Sequence, residues 1–241
     1  MATKPRKTTR KAPARPLRGL FRRIMRGVGL AVLACVGLAV AMTLLFGVVN
    51  PPVTPYVQAE KRRLGDVSQQ WVSIDEMAPV LLRSVVAAED ANFCLHWGLD
   101  VAAIRDAIDS GAERGGSTIS QQVVKNVFLW QGRSWLRKAL EALWTPLVEA
   151  LWSKRRILEL YLNVAEFDEG VFGAQAAARH YFGVDARDLT PRQAARLAVV
   201  LPSPKTRSAR DLSPALQRRA ASVQDGAATI ERDGRATCFA P

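Results

Sequence analysis

The chain has 241 residues, 49% of them hydrophobic, and a formal net charge of +12. A strongly basic chain suggests nucleic-acid binding, but residues 1–26 hold ten Lys and Arg and no acid, and the rest of the chain holds 24 basic against 22 acidic side chains. The charge therefore belongs to an N-terminal arm rather than to a folded surface, which excludes a nucleic acid as the partner.

The arm is followed by the longest apolar run, Gly27 to Val49, which has 23 residues without a charge. A run of this length crosses a hydrocarbon core of about 30 Å. Ala39 and Ala41 resemble a cleavage site, so a cleaved signal peptide is the alternative. Positive charge before the run, and none after it until Lys61, favours an uncleaved signal anchor in the cytoplasmic (inner) membrane. The N-terminus is then cytoplasmic and the body periplasmic or extracytoplasmic.

Helical periodicity dominates the body, and strand signals are nearly absent, so the predicted fold class is all-α or mainly α. The predicted organisation is a basic cytoplasmic arm (1–26), a transmembrane anchor (27–49), a linker (50–58), one domain (59–201) and a polar tail (202–241). The three prolines of the linker indicate a stiff connection. The tail carries an amphipathic helix around 216–230. Removal of residues 1–49 is expected to leave a folded domain.

Glu89 is the first candidate for chemistry. A helix over residues 79–90 places it on an apolar face, and Asp90 lies at the edge of that face. The apolar residues on the face of Glu89 are Leu82, Val85 and Val86. A carboxylate among apolar neighbours loses hydration, so its pKa rises and it can accept a proton near neutral pH. The alternative is a frayed helix end at which Glu89 reaches water.

Two further segments carry polar groups at helical spacing. Ser117 or Thr118 caps a helix that presents amides and a lysine on one face, which suits an anionic, oxygen-rich ligand. These side chains are Gln121, Gln122 and Lys125. Farther along, Arg137 and Lys138 lie within reach of Glu141. The alternatives are a solvated surface helix and an exposed ion pair, and spacing alone favours the surface helix.

The cysteines and histidines indicate no metal site. Cys35 lies in the apolar run, and a disulfide between Cys94 and Cys238 is permitted in an oxidising compartment, although two separately packed thiols are favoured. His96 and His180 are far apart, and no cluster has zinc spacing.

Five blocks occur in one order along the chain. They are ED-x-x-F-x-x-H-x-G from Glu89, GGST-I-x-QQ-x-x-KN ending at Asn126, RK-x-x-E ending at Glu141, K-x-x-ILE-x-YLN from Lys154, and G-x-x-G-x-x-x-AA-x-x-YFG from Gly170. Together they resemble the peptidoglycan glycosyltransferases, which include the N-terminal part of class A penicillin-binding proteins. The resemblance covers about residues 75–205, and with no room for a transpeptidase domain it implies a monofunctional biosynthetic enzyme. One departure is Asp168-Glu169 before Gly170, where the family commonly has a glycine.

The resemblance implies polymerisation of lipid II into β-1,4-linked glycan strands, with release of undecaprenyl diphosphate and inversion at the donor sugar. Glu89 matches the general base, and Glu141 matches a second glutamate near the leaving diphosphate. The cations that would neutralise this diphosphate are Lys125, Arg133 and Lys138. Further substrate-binding candidates within the second block are Ser117, Thr118, Gln121, Gln122 and Asn126.

The resemblance also implies a lysozyme-like lobe with a small hydrophobic jaw. An apolar cluster fits the jaw: Val127, Phe128, Leu129, Trp130, Trp135 and Leu136. Trp144 and Trp152 are interpreted as ordinary core residues. The resemblance firmly implies no cofactor, and a divalent cation (Mg²⁺ or Mn²⁺) that bridges the diphosphate is compatible with the chemistry. The expected partners are lipid II, the growing strand, the membrane and other cell-wall synthesis proteins.

Two alternatives differ in class. A lysozyme-like hydrolase also uses carboxylates on an α fold, but its leaving group is a neutral sugar and needs no cations beside the second carboxylate. The second alternative is a membrane-anchored scaffold without enzymatic activity. The presence of Glu89, Lys125 and Glu141 in one chain argues against it, because a scaffold does not need these three residues together. Lengthening of the glycan product distinguishes the enzyme from both.

Overall fold

The computed structural model describes residues 17–101, 105, 116–132 and 134–240. Their contacts divide them into two compact units, with the boundary between Met42 and Thr43. Most of the basic arm therefore lies outside the described residues, as does Arg133.

The first unit consists of most of α1, a helix from Leu17 to Val48. The segment from Gly19 to Val48 has 30 residues and a mean hydropathy of 2.5, so it is long and apolar enough to cross a membrane. The helix starts before the predicted span because the preceding arginines are good helix formers. The last residues of α1, from Thr43, belong to the second unit.

The second unit is mainly helical, as the sequence predicted. Its described helices are α2 (Pro55–Leu64), α3 (Pro79–Glu89), α4 (Ile119–Phe128), α5 (Trp135–Leu151), α6 (Lys154–Val164), α7 (Ala174–Phe182), α8 (Pro191–Val200) and α9 (Pro214–Arg232). Helix α2 begins within the segment predicted as a linker, because Thr54 caps its N-terminus and Pro55 suits the first turn.

A small three-stranded sheet was not predicted. Its strands are β1 (Ser68–Gln69), β2 (Glu166–Asp168) and β3 (Val171–Phe172), in the order β1-β3-β2. Strand β1 runs parallel and β2 antiparallel to β3. Strands of two or three residues are too short to show alternation. Gly170, at φ +75°, provides the left-handed turn after Asp168-Glu169.

Helices α3, α8 and α9 pack against one another and form one side of the core. The approach of α9 to α3 is close at Gly226, where an added Cβ would lie 3.2 Å from the Cβ of Ala87. The buried positions of α9 recur at helical spacing: Ala220, Val223, Ala227 and Ile230. The amphipathic helix predicted around 216–230 is thus present, and its apolar face joins the core. The predicted domain boundary at residue 201 stays a prediction.

The end of α1 packs among aromatic residues of the second unit. The indole N–H of Trp144 donates to Thr43 Oγ1 (2.9 Å), and that of Trp152 donates to the Thr43 carbonyl (2.6 Å). Phe128 stacks on Trp144 with ring centroids 4.6 Å apart, and Phe46 lies 5.9 Å from Phe128. The core role predicted for Trp152 is confirmed, since it is 5% exposed, whereas Trp144 is half-buried at the edge of the core to which Thr43 and Phe46 belong.

Because the end of α1 packs into the domain, a truncation that leaves the domain intact should end before Thr43 and not at residue 49. Removal of residues 1–42 should leave the melting temperature of the domain nearly unchanged. Removal of residues 1–49 takes away Phe46 and leaves the buried indole N–H of Trp152 and the half-buried one of Trp144 without their partners, which should cost roughly 3 kcal/mol or more. We expect a melting temperature lower by about 6 °C or more, measured by circular dichroism in detergent. Equal melting temperatures for the two truncations would contradict this role of the α1 end.

Cys94 and Cys238 form a disulfide, with their Cα atoms 5.7 Å apart. The preference for two separately packed thiols was therefore wrong. The bond joins residues separated by 144 positions, and such proximity depends on the return of the chain after α9, which local sequence patterns do not encode.

Candidate active site

Glu89 is the last residue of α3, where the apolar face predicted for that helix is buried. Leu82 and Val86 are each 2% exposed, and Glu89 itself is half-buried. Gln122 of α4 donates to Glu89 Oε2 (2.8 Å), and the hydroxyl of Tyr161 donates to Gln122 Oε1 (3.2 Å). The second bond fixes the amide of Gln122, so its N–H points toward the carboxylate.

Burial raises the pKa of Glu89, although the Gln122 hydrogen bond and the charges of Lys125 and Arg219 oppose that rise. A partly desolvated carboxylate that is held by a neutral amide remains able to accept a proton. The structure therefore gives Glu89 the environment that its apolar face predicted.

Asp90 is more deeply buried than its place at the edge of the apolar face suggested, with 2% of its side chain exposed. Its Oδ2 accepts the backbone N–H of Ile119 (3.0 Å), and its Oδ1 lies 2.7 Å from His96 Nε2. Because His96 Nδ1 accepts the N–H of Gly98 (3.1 Å), Nε2 carries the proton and donates to Asp90. The carboxylate thus joins the end of α3 to the start of α4.

Replacing Asp90 by Asn is expected to destabilise the protein by about 1.5–3 kcal/mol, because a buried charged acceptor loses part of two hydrogen bonds. Urea unfolding of the detergent-solubilised chain measures this change. The companion variant Glu89→Gln should change the free energy of unfolding far less, since its carboxylate accepts from an amide that a glutamine oxygen also satisfies. Equal stabilities for the two variants would refute the structural role of Asp90.

The fold already uses several of the predicted substrate-binding residues. Thr118 caps α4 and donates to the Gly98 carbonyl (2.6 Å), while Gln121 Oε1 accepts the N–H of Thr118 (3.1 Å). Both side chains are buried. Asn126 is also buried and accepts from Gln131 (3.1 Å). Thr118 and Gln121 thus hold the N-terminus of α4, and Asn126 holds the turn after its C-terminal end. Ser117 instead lines a cavity over Glu89, and Gln122 contacts Glu89 itself.

The second carboxylate, Glu141, is 2% exposed. It pairs with Arg137 through Oε1 and with Lys138 Nζ through Oε2, the latter at 3.1 Å. Lys138 Nζ also donates to Ser117 Oγ (3.0 Å). The predicted third block thus forms a partly buried cluster of charges rather than an exposed ion pair: the Glu141 side chain is 3% exposed and that of Arg137 12%, whereas that of Lys138 is 43% exposed.

Cations repel one another around these carboxylates. Burial, followed by the charge of Arg137, lowers the pKa of Lys125, and the charge of Glu89 opposes this shift. The pKa of Lys138 is lowered by burial, then by Arg137 and Lys125. Positive groups held close together in a partly desolvated cleft favour an incoming anion.

Two cavities lie in this region of the second unit. One, of about 220 Å³, lies over Glu89. The other, of about 370 Å³, is lined by Ser134, Trp135, Arg137 and Lys138. Ser117 lines the first, so its hydrogen bond with Lys138 lies where the two cavities approach each other.

Arg219 also lines the cavity over Glu89 and donates to the Ala88 carbonyl (3.2 Å). It lies on α9, outside the five sequence blocks, and sequence reasoning missed it. The amphipathic pattern of the tail was the available signal, because it placed a helix there with arginines on its polar side.

Asp90, His96 and Asp100 bring ligand-type atoms within 4.8 Å of one another. His96 and the Ile119 N–H already occupy both oxygens of Asp90, and Asn92 donates to Asp100 (2.9 Å). A metal ion would have to displace the proton on His96 Nε2. The donor set therefore fits a hydrogen-bonded turn and not a resident metal.

Comparison with known proteins agrees with this arrangement. The transglycosylase family matches residues 57–228. Proteins named biosynthetic peptidoglycan transglycosylase are 59% identical in Jannaschia sp. (strain CCS1), over 93% of this chain and 89% of the relative. The protein of the same name from Xanthomonas campestris pv. campestris (strain B100) is 50% identical, over 88% of this chain and 90% of the relative. The one from Pseudomonas fluorescens (strain SBW25) is 46% identical, over 90% of this chain and 93% of the relative. The chain therefore belongs to the transglycosylase family, which confirms its resemblance to the peptidoglycan glycosyltransferases.

Proposed function

We propose that the protein polymerises lipid II into β-1,4-linked glycan strands and releases undecaprenyl diphosphate, with Glu89 as the general base. The observation that carries the proposal is the position of the half-buried Glu89 carboxylate, which is held by Gln122 and lies on a cavity that Arg219 also lines. Ser117, on the same cavity, accepts from Lys138 and so connects the cavity to the cation cluster around Glu141. The names of the relatives agree with synthesis of peptidoglycan.

In the proposed step, a carboxylate oxygen of Glu89 accepts the proton of the 4-hydroxyl of the acceptor GlcNAc. The hydroxyl oxygen attacks the anomeric carbon of the donor MurNAc as the bond to the diphosphate breaks. Attack opposite the leaving group converts an α-linked donor into a β-linked product. Proton removal by a positioned base contributes about 10²–10⁴-fold to such a reaction.

The departing diphosphate would be stabilised by Lys125, Arg133 and Lys138, with Glu141 holding Lys138 in place. Charges fixed before the reaction stabilise a developing anion without reorganisation. A divalent cation, Mg²⁺ or Mn²⁺, would enter bound to the diphosphate and not on resident ligands. The hydrolase alternative has no use for this cluster, because its leaving group is neutral.

The proposal places the protein in the cytoplasmic membrane, with α1 as a single span and the second unit on the extracytoplasmic side. Exposed apolar residues of α5, the helix that lines the second cavity, support contact with lipid: Trp135 is 91% exposed, Leu143 76% and Leu136 64%. Exposed tryptophan and leucine beside a substrate cleft suit a lipid-linked substrate. Of the predicted jaw, Val127 and Leu129 instead belong to the buried core.

Purified full-length protein in detergent, incubated with labelled lipid II, tests the proposal. Gel separation should show polymer that a muramidase digests. Shortening of added glycan strands would support a hydrolase instead, and no change in either substrate would support a scaffold.

A further inference from the structure

The C-terminal residues meet the loop that follows Glu89. We name residues 233–240 the C-terminal strap and residues 90–98 the post-base loop. The disulfide between Cys94 and Cys238 joins them. Arg235 donates to the Ala91 carbonyl (3.4 Å), and the rings of Phe93 and Phe239 lie 6.2 Å apart.

The strap is a packed segment and not a loose tail. Phe239 is 1% exposed and Phe93 is fully buried. Arg155 of α6 donates to the Phe239 carbonyl (3.1 Å). The strap is therefore anchored to α6 by a hydrogen bond and to the post-base loop by a covalent bond and an aromatic contact.

The far end of the post-base loop is held separately. Lys154 Nζ donates to the His96 carbonyl and to Glu149 Oε1, each at 2.8 Å, and lies 4.5 Å from the centre of the Phe93 ring. Ser120 of α4 hydrogen-bonds the same oxygen of Glu149. The loop is thus fixed by Lys154 on one side and by the strap on the other.

The post-base loop begins one residue after Glu89, and Asp90 links it to the first N–H of α4. Helix α4 also carries Gln122, which holds the Glu89 carboxylate. A displacement of the loop therefore reaches both the backbone that carries Glu89 and the helix that orients it.

We propose that Cys94 and Cys238 are positioning residues for the reaction: their disulfide holds the post-base loop, and through it Glu89 and the N-terminus of α4, in the geometry needed for turnover. This inference rests on the proposed function for its kinetic part. Opening the bond should lower kcat while the fold persists, because a misplacement of about 1 Å can cost on the order of 10²-fold in rate.

The bond opens by exchange with a dithiol reductant. The two thiols of the reductant become a disulfide, and Cys94 and Cys238 each become a thiol. Cys35, a free exposed cysteine in α1, would confuse thiol counting, so the full-length chain with Cys35→Ser is the reference protein.

The first arm compares the oxidised reference, the dithiothreitol-reduced reference, the Cys94→Ser and Cys238→Ser variants, and the double variant. All are assayed on labelled lipid II well below the melting temperature of each form. We expect kcat to fall by between about tenfold and a hundredfold, with KM within about twofold. The single and double variants should show the same loss of kcat, because each removes the same bond. The reductant should not change the kcat of the double variant.

The second arm does not depend on activity. Hydrogen exchange of the amide of Ile119 and of the post-base loop should quicken when the bond opens, while amides inside α8 should not change. Unchanged exchange, or unchanged kcat in a protein whose two thiols are titrated as free, would overturn the inference. Loss of kcat accompanied by faster exchange throughout the domain would also overturn it, since the bond would then only stabilise the fold. An oxidised reference that fails to polymerise lipid II would refute the proposed function, and the exchange arm would still test the strap.

Discussion

Replacing Glu89 by Gln is expected to lower lipid II turnover by at least about 10²-fold, because the substitution keeps the shape of the side chain and removes its basicity. Burial raises the pKa of Glu89, so the neutral variant also avoids the cost of a desolvated charge, and its melting temperature should be unchanged or slightly higher. Initial rates from gel-resolved polymer, beside melting temperatures, measure both effects.

The pH dependence of the polymerisation rate tests the same assignment of Glu89 as the base. A general base acts when unprotonated, so the wild-type rate should fall as the pH drops through the pKa of Glu89. Since that pKa is raised, the fall should begin at a higher pH than for an ordinary glutamate. The residual rate of Glu89→Gln should lack this limb. Glu169→Gln, at a half-exposed surface carboxylate, is the matched control and should keep the wild-type rate and profile. A near-wild-type rate for Glu89→Gln would show that another group is the base.

Replacing Lys125, Arg133 or Lys138 by Ala is expected to cost about ten- to a hundredfold each in rate or substrate affinity. Each charge-assisted contact with a diphosphate is worth roughly 1.5–3 kcal/mol. The three losses should be non-additive, because the side chains share one ligand. Polymerisation by the single and combined variants, with substrate titration, measures these losses.

The controls must be cations without a structural contact. Arg155 and Arg156 are unsuitable, since Arg155 donates to the Phe239 carbonyl and Arg156 to the Phe46 carbonyl (2.9 Å). Lys61 and Arg192 are exposed, and their Ala variants should keep activity. The assignment of the three cations to the diphosphate fails if the Ala variants at Lys61 and Arg192 lose as much activity as those at the three proposed cations. It also fails if lost activity follows lost stability across the series.

Local patterns in the sequence determined much of this protein. The apolar run predicts α1, and the spacing of Leu82, Val86 and Glu89 predicts the carboxylate beside the buried apolar face at the end of α3. At the start of α8, Thr190 and Gln193 form a capping box and Pro191 occupies the first turn, so this helix end also depends on four neighbouring residues. These features depend on residues within one or two helical turns, so their periodicity and capping are visible without knowledge of the fold.

Other features were decided only by the tertiary structure. The disulfide joins residues 144 positions apart. Arg219 reaches the Ala88 carbonyl across 131 positions, and Thr43 accepts from Trp144 across 101. No spacing rule connects residues so distant, because their proximity results from the packing of α3 against α9 and of α5 against the end of α1. Asp90 shows the same limit at close range: helical projection placed it at an edge, but its burial comes from the turn through His96 and from the start of α4 that packs over it.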